Sequence, residues 1–154
     1  MSETCYADSS ALVKRHISEA GSVWIEQQFD AANGNRIITA KLSVAEVLSA
    51  MNRRRREANI TATEYAKFSG DSLSFVETDY EMVELSDAVL LEAQRLLETH
   101  PLRAGDAIQL ASALLANTEL QSANLPALTF LASDARLLTA ANSESLQTDD
   151  PQNH

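Results

Sequence analysis

Apolar and polar positions sort this chain into two kinds of stretch. Short apolar runs bounded by polar residues read as strands at "CYAD" (5–8), "RIITA" (36–40), "YEMVEL" (80–85) and "LTFLAS" (128–133). Between them the apolar residues recur at helical spacing. "GSVWIEQQFDAA" (21–32) offers Ser22 as an N-cap, and "SVAEVLSAMNRRRRE" (43–57) opens on Ser43 with Val44, Val47, Leu48 and Met51 on one face. "TATEYAKFSGDSLSFV" (61–76) begins with the capping-box pair Thr61 and Glu64. "SDAVLLEAQRLLETH" (86–100) is stopped by Pro101, "RAGDAIQLASALLANTEL" (103–120) is the most apolar helix, and "SDARLLTAAN" (133–142) closes the series. A short helix begins near Ala11.

Strands alternating with helices predict an α/β fold, a mostly parallel sheet covered on both faces. The last stretch, "SESLQTDDPQNH", is polar apart from a short strand near Leu146, and its end is expected to fray. Residues 1–147 are therefore read as one domain and 148–154 as a polar C-terminal tail. A chain of 154 residues is long enough to bury a substantial core. No repeat, linker or low-complexity tract divides it.

Composition narrows the setting. The chain is 45% hydrophobic and 22% charged, the balance of an ordinary globular protein, and no stretch approaches a membrane span. The opening "MSETCYADSS" has neither a basic nor an apolar leader segment, so no secretory signal is expected. Cys5 is the single cysteine, which excludes an internal disulfide and fits a reducing cytoplasm. The net charge of −10 repels nucleic acid in general, yet four of the twelve basic residues stand together at Arg53, Arg54, Arg55 and Arg56. That run is either a solvated helix end favoured by the helix dipole or a local patch for phosphates or an acidic partner.

Sites in open parallel sheets form beyond the carboxyl ends of the strands. Asp8 ends the first strand and Asp134 the last, Glu46 starts the helix after the second strand, and Asp106 lies in the first turn of the Ala/Leu-rich helix. Each has an ordinary reading. Asp8 and Asp134 can cap the helices that follow them, and Glu46 stands at capping-box spacing from Ser43, opposite the face of Val44, Val47 and Met51. Asp106 suits a helix N-terminus, at the edge of the face of Ile108, Ala111, Leu114 and Leu115. Should the four converge, repulsion decides the outcome, since two carboxylates about 4 Å apart repel by roughly 4 kcal/mol at an effective dielectric of 20. Such a cluster takes up protons or holds a cation. Oxygen-only ligands suit Mg²⁺ or Mn²⁺, and His16, His100 and His154 stand at none of these positions, which argues against zinc. A bound Mg²⁺ favours phosphate-bearing substrates and can activate water against a phosphodiester.

Four motifs in order carry a family resemblance. "YADSSALVKRHISEAGS" resembles the opening of PIN-domain ribonucleases, particularly the VapC-like toxins of type II toxin–antitoxin modules. "LSVAEVLSAMNR", "LRAGDAIQLASAL" and "LTFLASDARLLTAA" resemble that family's second, third and fourth motifs, and together they span most of the chain. The resemblance implies a three-layer α/β/α domain with a central sheet of four or five strands. It implies an acidic quartet of Asp8, Glu46, Asp106 and Asp134 around Mg²⁺ or Mn²⁺. Asp8 and Asp106 would ligate directly, Asp134 would complete the pocket, and Glu46 would bind metal or orient the attacking water. Ser10 matches the small hydroxyl residue that supports the first Asp. The implied activity is endonucleolytic hydrolysis of RNA, with a cognate antitoxin lying across the site and a homodimer as the assembly.

Two positions depart from the pattern. Gln109 stands where many relatives have histidine, and is expected to point away from Asp106. Ala132 replaces a Ser or Thr two residues before Asp134, removing a hydrogen bond. Arg53, two turns beyond Glu46 on the same helical face, is the candidate for offsetting the acidic charge toward RNA. Two other phosphoryl-transfer classes fit poorly. Haloacid-dehalogenase-like phosphatases need a second Asp where Ser10 stands, and receiver domains need a late lysine, of which there is none beyond Lys67. A PIN-like binding module without catalysis is the alternative reading.

Overall fold

The computed structural model describes residues 2–154. Its strands are β1 (Thr4–Ala7), β2 (Arg36–Ala40), β3 (Tyr80–Val83), β4 (Thr129–Leu131) and β5 (Gln147–Asp149). They form one sheet in the order β3-β2-β1-β4-β5, every neighbouring pair parallel. The helices are α1 (Ser9–Leu12), α2 (Ser22–Phe29), α3 (Leu42–Arg56), α4 (Ala62–Thr78), α5 (Asp87–Thr99), α6 (Ala104–Ser122) and α7 (Ala135–Ser143). Among the described residues, none of these is long and apolar enough to cross a membrane.

The pleat of the strands makes the layers. Cys5, Ala7, Ile37 and Leu131 point to one face and pack with Ala11, Leu12, Ile25, Val47 and Met51 of α1, α2 and α3. Tyr6, Ile38, Ala40 and Phe130 point to the other, against α5, α6 and α7. Burial on both faces is why the strands read as continuous apolar runs. Tyr6 stacks on Phe130 with ring centroids 5.5 Å apart. The result is the expected three-layer α/β/α domain.

The strand order fixes where a site can lie. From β1 the chain works outward through β2 to β3, then crosses back to place β4 and β5 on the other side of β1. The connections leaving β1 and β4 therefore turn to opposite faces, α1 to one and α7 to the other. A crevice opens between their carboxyl ends, the usual place for ligands in such sheets.

Several local expectations need correction. β1 ends at Ala7 and β4 at Leu131, so Asp8 and Asp134 sit in the loops just past the strands, and β5 follows them as the last strand. Ser22 does not cap α2. Gly21 takes the cap position at φ +90°, and a Cβ there would lie 2.4 Å from the Pro151 carbonyl oxygen. Ser22 Oγ instead accepts from the Glu19 amide and donates to the Ile17 carbonyl. The chain end is not frayed either. Pro151 is buried, residues Pro151–Asn153 form a 3₁₀ turn, and the His154 ring stacks on Trp24 at 4.2 Å. Polarity alone misreads a segment held by strand pairing, ring stacking and specific polar contacts such as His154 with Asp149.

Candidate active site

Asp8 enters the site because β1 stops one residue before it. Its amide donates to the Leu131 carbonyl at 3.1 Å, continuing the ladder to β4, and its side chain then caps α1. Oδ1 accepts from the Ala11 amide (3.0 Å) and from Ser10 Oγ (2.6 Å). Capping and site membership are thus compatible, since one oxygen does the capping. The residue is buried. Burial drives its carboxyl up to about 7, with Glu46 and Asp106 adding repulsion and the two hydrogen bonds opposing.

Ser10 has a second role. While its hydroxyl donates to Asp8, it accepts from the Ser133 amide at 2.9 Å. This ties the loop that carries Asp134 to the loop that carries Asp8. Ser133 is held in turn by its own hydroxyl, which donates to Asp150 (3.1 Å). Asp134 is exposed and caps α7, accepting from the Leu137 amide at 3.0 Å. Ala132, two residues before it, is fully buried in the core.

Glu46 is placed by a different device from the one its spacing suggests. The N-cap of α3 is Lys41, and Ser43 lies inside the helix, completely buried. Ser43 Oγ shares a hydrogen bond with Thr39 Oγ1 (2.7 Å) and accepts from Gln109 Nε2 (2.9 Å). Glu46 Oε1 accepts from the same Gln109 nitrogen at 2.6 Å. The amide is oriented from behind by the Tyr6 hydroxyl, which donates to Gln109 Oε1 at 2.7 Å. Thr39 Oγ1 also reaches the carbonyl of Ala7, the residue before Asp8, at 2.6 Å. A buried polar chain therefore joins Glu46 to the root of Asp8. Such a network is rigid because every member is satisfied.

Gln109 is thus the residue that sequence reasoning set aside wrongly. Positions three apart on a helix share a face, so Gln109 lies beside Asp106, not away from it. That spacing was the signal. Gly105 was also missed. A Cβ there would stand 3.0 Å from Glu46 Oε2, so the glycine gives the carboxylate its room.

Asp106 is the third residue of α6, where the helix dipole favours an anion. Burial raises its pKa, the charge of Asp134 raises it further, and Arg103 and Arg136 pull it back. Two cavities meet at this rim. One, of about 270 Å³, is lined by Glu46, Asp106 and Asp134 with Arg103 and Arg136. The other, of about 660 Å³, shares Glu46 and Asp134 and extends past Ser10 to Lys14, Arg53 and Arg54. Among the described residues no three Asp, Glu, His or Cys side chains stand close enough to hold one ion between them. The arrangement gathers negative charge around an open rim, with cations on its outer walls.

A family model described as PIN domain matches residues 5–140. The chain is 31% identical over 137 residues to Ribonuclease VapC45 of Mycobacterium tuberculosis, covering 89% of this chain and 88% of that protein. Two solved structures share the fold. One is VapBC2 from Rickettsia felis bound to a DNA fragment from its promoter, with TM-score 0.62 and 11% identity over 96% of this chain and 98% of that one. The other is a toxin–antitoxin complex from Klebsiella pneumoniae, with TM-score 0.59 and 12% identity over 96% and 97%.

Proposed function

The chain belongs to the PIN-domain family, and from that premise we propose that it is an endoribonuclease, the toxin of a toxin–antitoxin pair, that uses Mg²⁺ or Mn²⁺. The observation that carries this reading is that Glu46, Asp106 and Asp134 line one cavity while the charges of Glu46 and Asp106 act on the buried Asp8 carboxyl. A ribonuclease named VapC at 31% identity supports the reaction class. An antitoxin partner, an RNA substrate and a homodimer are proposed with it.

The donor set fits the metal. All four groups are carboxylates, and the buried Asp8 and half-buried Asp106 both carry raised pKa values that a cation would reverse. A hard ion that keeps several waters needs only one or two of these carboxylates directly. When bound, the ion supplies an acidified water and offsets charge on the phosphate oxygens. Asp8, through the oxygen that caps nothing, and Asp106 are the proposed direct ligands, with Asp134 completing the pocket. Glu46, its Oε1 fixed by Gln109, presents Oε2 to orient the attacking water. Hydrolysis would join the water oxygen to phosphorus and break the ester P–O bond, the proton given up by the water passing to the departing oxygen. Ser10 holds the Asp8 and Asp134 loops in register, and Arg53, exposed on the wall of the larger cavity, meets the RNA backbone.

The test is cleavage of total RNA and single-stranded oligonucleotides by antitoxin-free protein with Mg²⁺ or Mn²⁺. Discrete products that vanish with EDTA and in Asp8→Asn are expected. One observation favours a second reading, a PIN-like binding module without catalysis: among the described residues no three carboxylates close on a single point. Calorimetry decides between them, because a chain that binds no Mn²⁺ is the binding module.

A further inference from the structure

We infer that Lys14, Glu19 and Arg54 form a phosphate subsite in the larger cavity, which holds the RNA backbone beside the acidic rim. This rests on the nuclease reading of that rim. Lys14 sits in the 3₁₀ turn after α1, with its side chain 3% exposed, and its Nζ meets Glu19 Oε1 at 3.0 Å. Arg54, near the end of α3, pairs through Nη2 with Glu19 Oε2 at 2.8 Å. One carboxylate therefore serves two cations, and the cluster keeps a net positive charge inside an anionic protein.

The hydrogen bonding is incomplete in the same sense. Among the described residues Arg54 Nη1 is the only buried side-chain nitrogen or oxygen without a hydrogen-bond partner. Lys14 Nζ has three donors, and among the described residues Glu19 is its single partner. An unmet charged donor is costly to bury, and Nη1 is closed off from solvent, so the site gains when the Arg54 side chain turns this nitrogen onto an anionic oxygen in the cavity. All three residues line the cavity that also contains Glu46 and Asp134. A strand whose scissile phosphate lies at the acids is thereby offered cations for a neighbouring phosphate. The guanidinium fork and the compact ammonium are both suited to phosphate. Glu19 competes with the ligand and keeps the empty cations soluble in the wall.

Binding of fluorescein-labelled, random-sequence single-stranded RNA, followed by anisotropy over a salt series, tests the assignment. The full chain is used in an Asp8→Asn background with Mg²⁺ so that cleavage does not interfere. Arg54→Gln is expected to weaken Kd about tenfold and to flatten the log–log salt slope by roughly 0.7, the loss of one phosphate contact. Glu19→Gln, nearly isosteric, is expected to tighten binding several-fold by freeing both cations, which a purely structural ion triad would not do. Melting curves confirm that each variant is folded. Unchanged affinity and slope in Arg54→Gln, or no tightening in Glu19→Gln, overturns the proposal. So does Arg54→Gln releasing a bound antitoxin while RNA binding stays intact, which reassigns the cations to a protein carboxylate. Failure of the nuclease reading shows separately, as absence of Mn²⁺ binding by the unsubstituted chain.

Discussion

Gln109 Nε2 and Glu46 Oε1 lie 2.6 Å apart, joining α6 to α3 across the floor of the acidic rim. The bond engages Oε1 and leaves Oε2 for the role proposed for Glu46. Gln109→Leu would leave the Tyr6 hydroxyl and Ser43 short of a partner, costing on the order of 2 kcal/mol of stability. Gln109→Glu keeps an acceptor for Tyr6 but sets a carboxylate against Glu46. Turnover should fall ten- to a hundredfold in both, the range for groups that orient metal ligands. Wild-type turnover in the folded Glu variant would remove Gln109 from the site.

Gly105 offers a test in which stability and activity move in opposite directions. Alanine is the better helix former, by up to about 1 kcal/mol, so Gly105→Ala should raise the melting temperature slightly. Its Cβ would stand 3.0 Å from Glu46 Oε2, and the carboxylate must give way. Cleavage should drop while the fold gains. A variant that is both more stable and fully active would show that Glu46 tolerates displacement.

Ser10 bridges Asp8 and the Ser133 amide, so its loss loosens two loops at once. Ser10→Ala should weaken Mn²⁺ binding by ten- to a hundredfold in calorimetry, while Ser10→Thr, which keeps the hydroxyl, should recover most of it. Equal affinities in all three chains would reduce Ser10 to a local turn residue.

Much of this was legible in the sequence, and the residues show why. Strands such as Arg36–Ala40 are buried on both faces and announce themselves as apolar runs. The capping box of α4 is a local exchange of hydrogen bonds, and it forms as its spacing predicts. The S-x-x-E spacing of Ser43 and Glu46 is identical in kind, yet no box forms there. Thr39 and Gln109, on other elements, claim Ser43, and Gln109 claims Glu46. Gln109, more than sixty residues away in sequence, displaces the local motif, and the S-x-x-E spacing by itself does not reveal that partner. The Lys14, Glu19 and Arg54 cluster was hidden for the same reason, since it joins the first turn of the chain to the end of α3.

Asp8 gives the metal-free protein a particular pH dependence. Its carboxyl titrates near 3.8 in a model peptide and, mainly through burial, at about 7 in the fold. Between those values the folded chain holds a proton that the unfolded chain has released. The folded state then binds more protons, so stability falls as pH rises and the loss is complete above about 7. His16 works the other way. Burial lowers its pKa from 6.5 to about 4, so its contribution is lost as pH falls through that window. The two slopes oppose each other below 6.5, and the comparison with Asp8→Asn isolates the carboxylate, because asparagine can still accept from Ser10 and the Ala11 amide. In EDTA the wild-type melting temperature should decline relative to Asp8→Asn from pH 4 to 7, by roughly 2–4 °C for each kcal/mol in a domain of this size. Mn²⁺ at pH 7.5 should restore the wild type and leave Asp8→Asn nearly unchanged, since a cation holds the carboxylate ionised at no cost to the fold. Parallel melting profiles across pH 4–8 would mean that Asp8 is hydrated in solution, and the proposal that it is a buried metal ligand would fall.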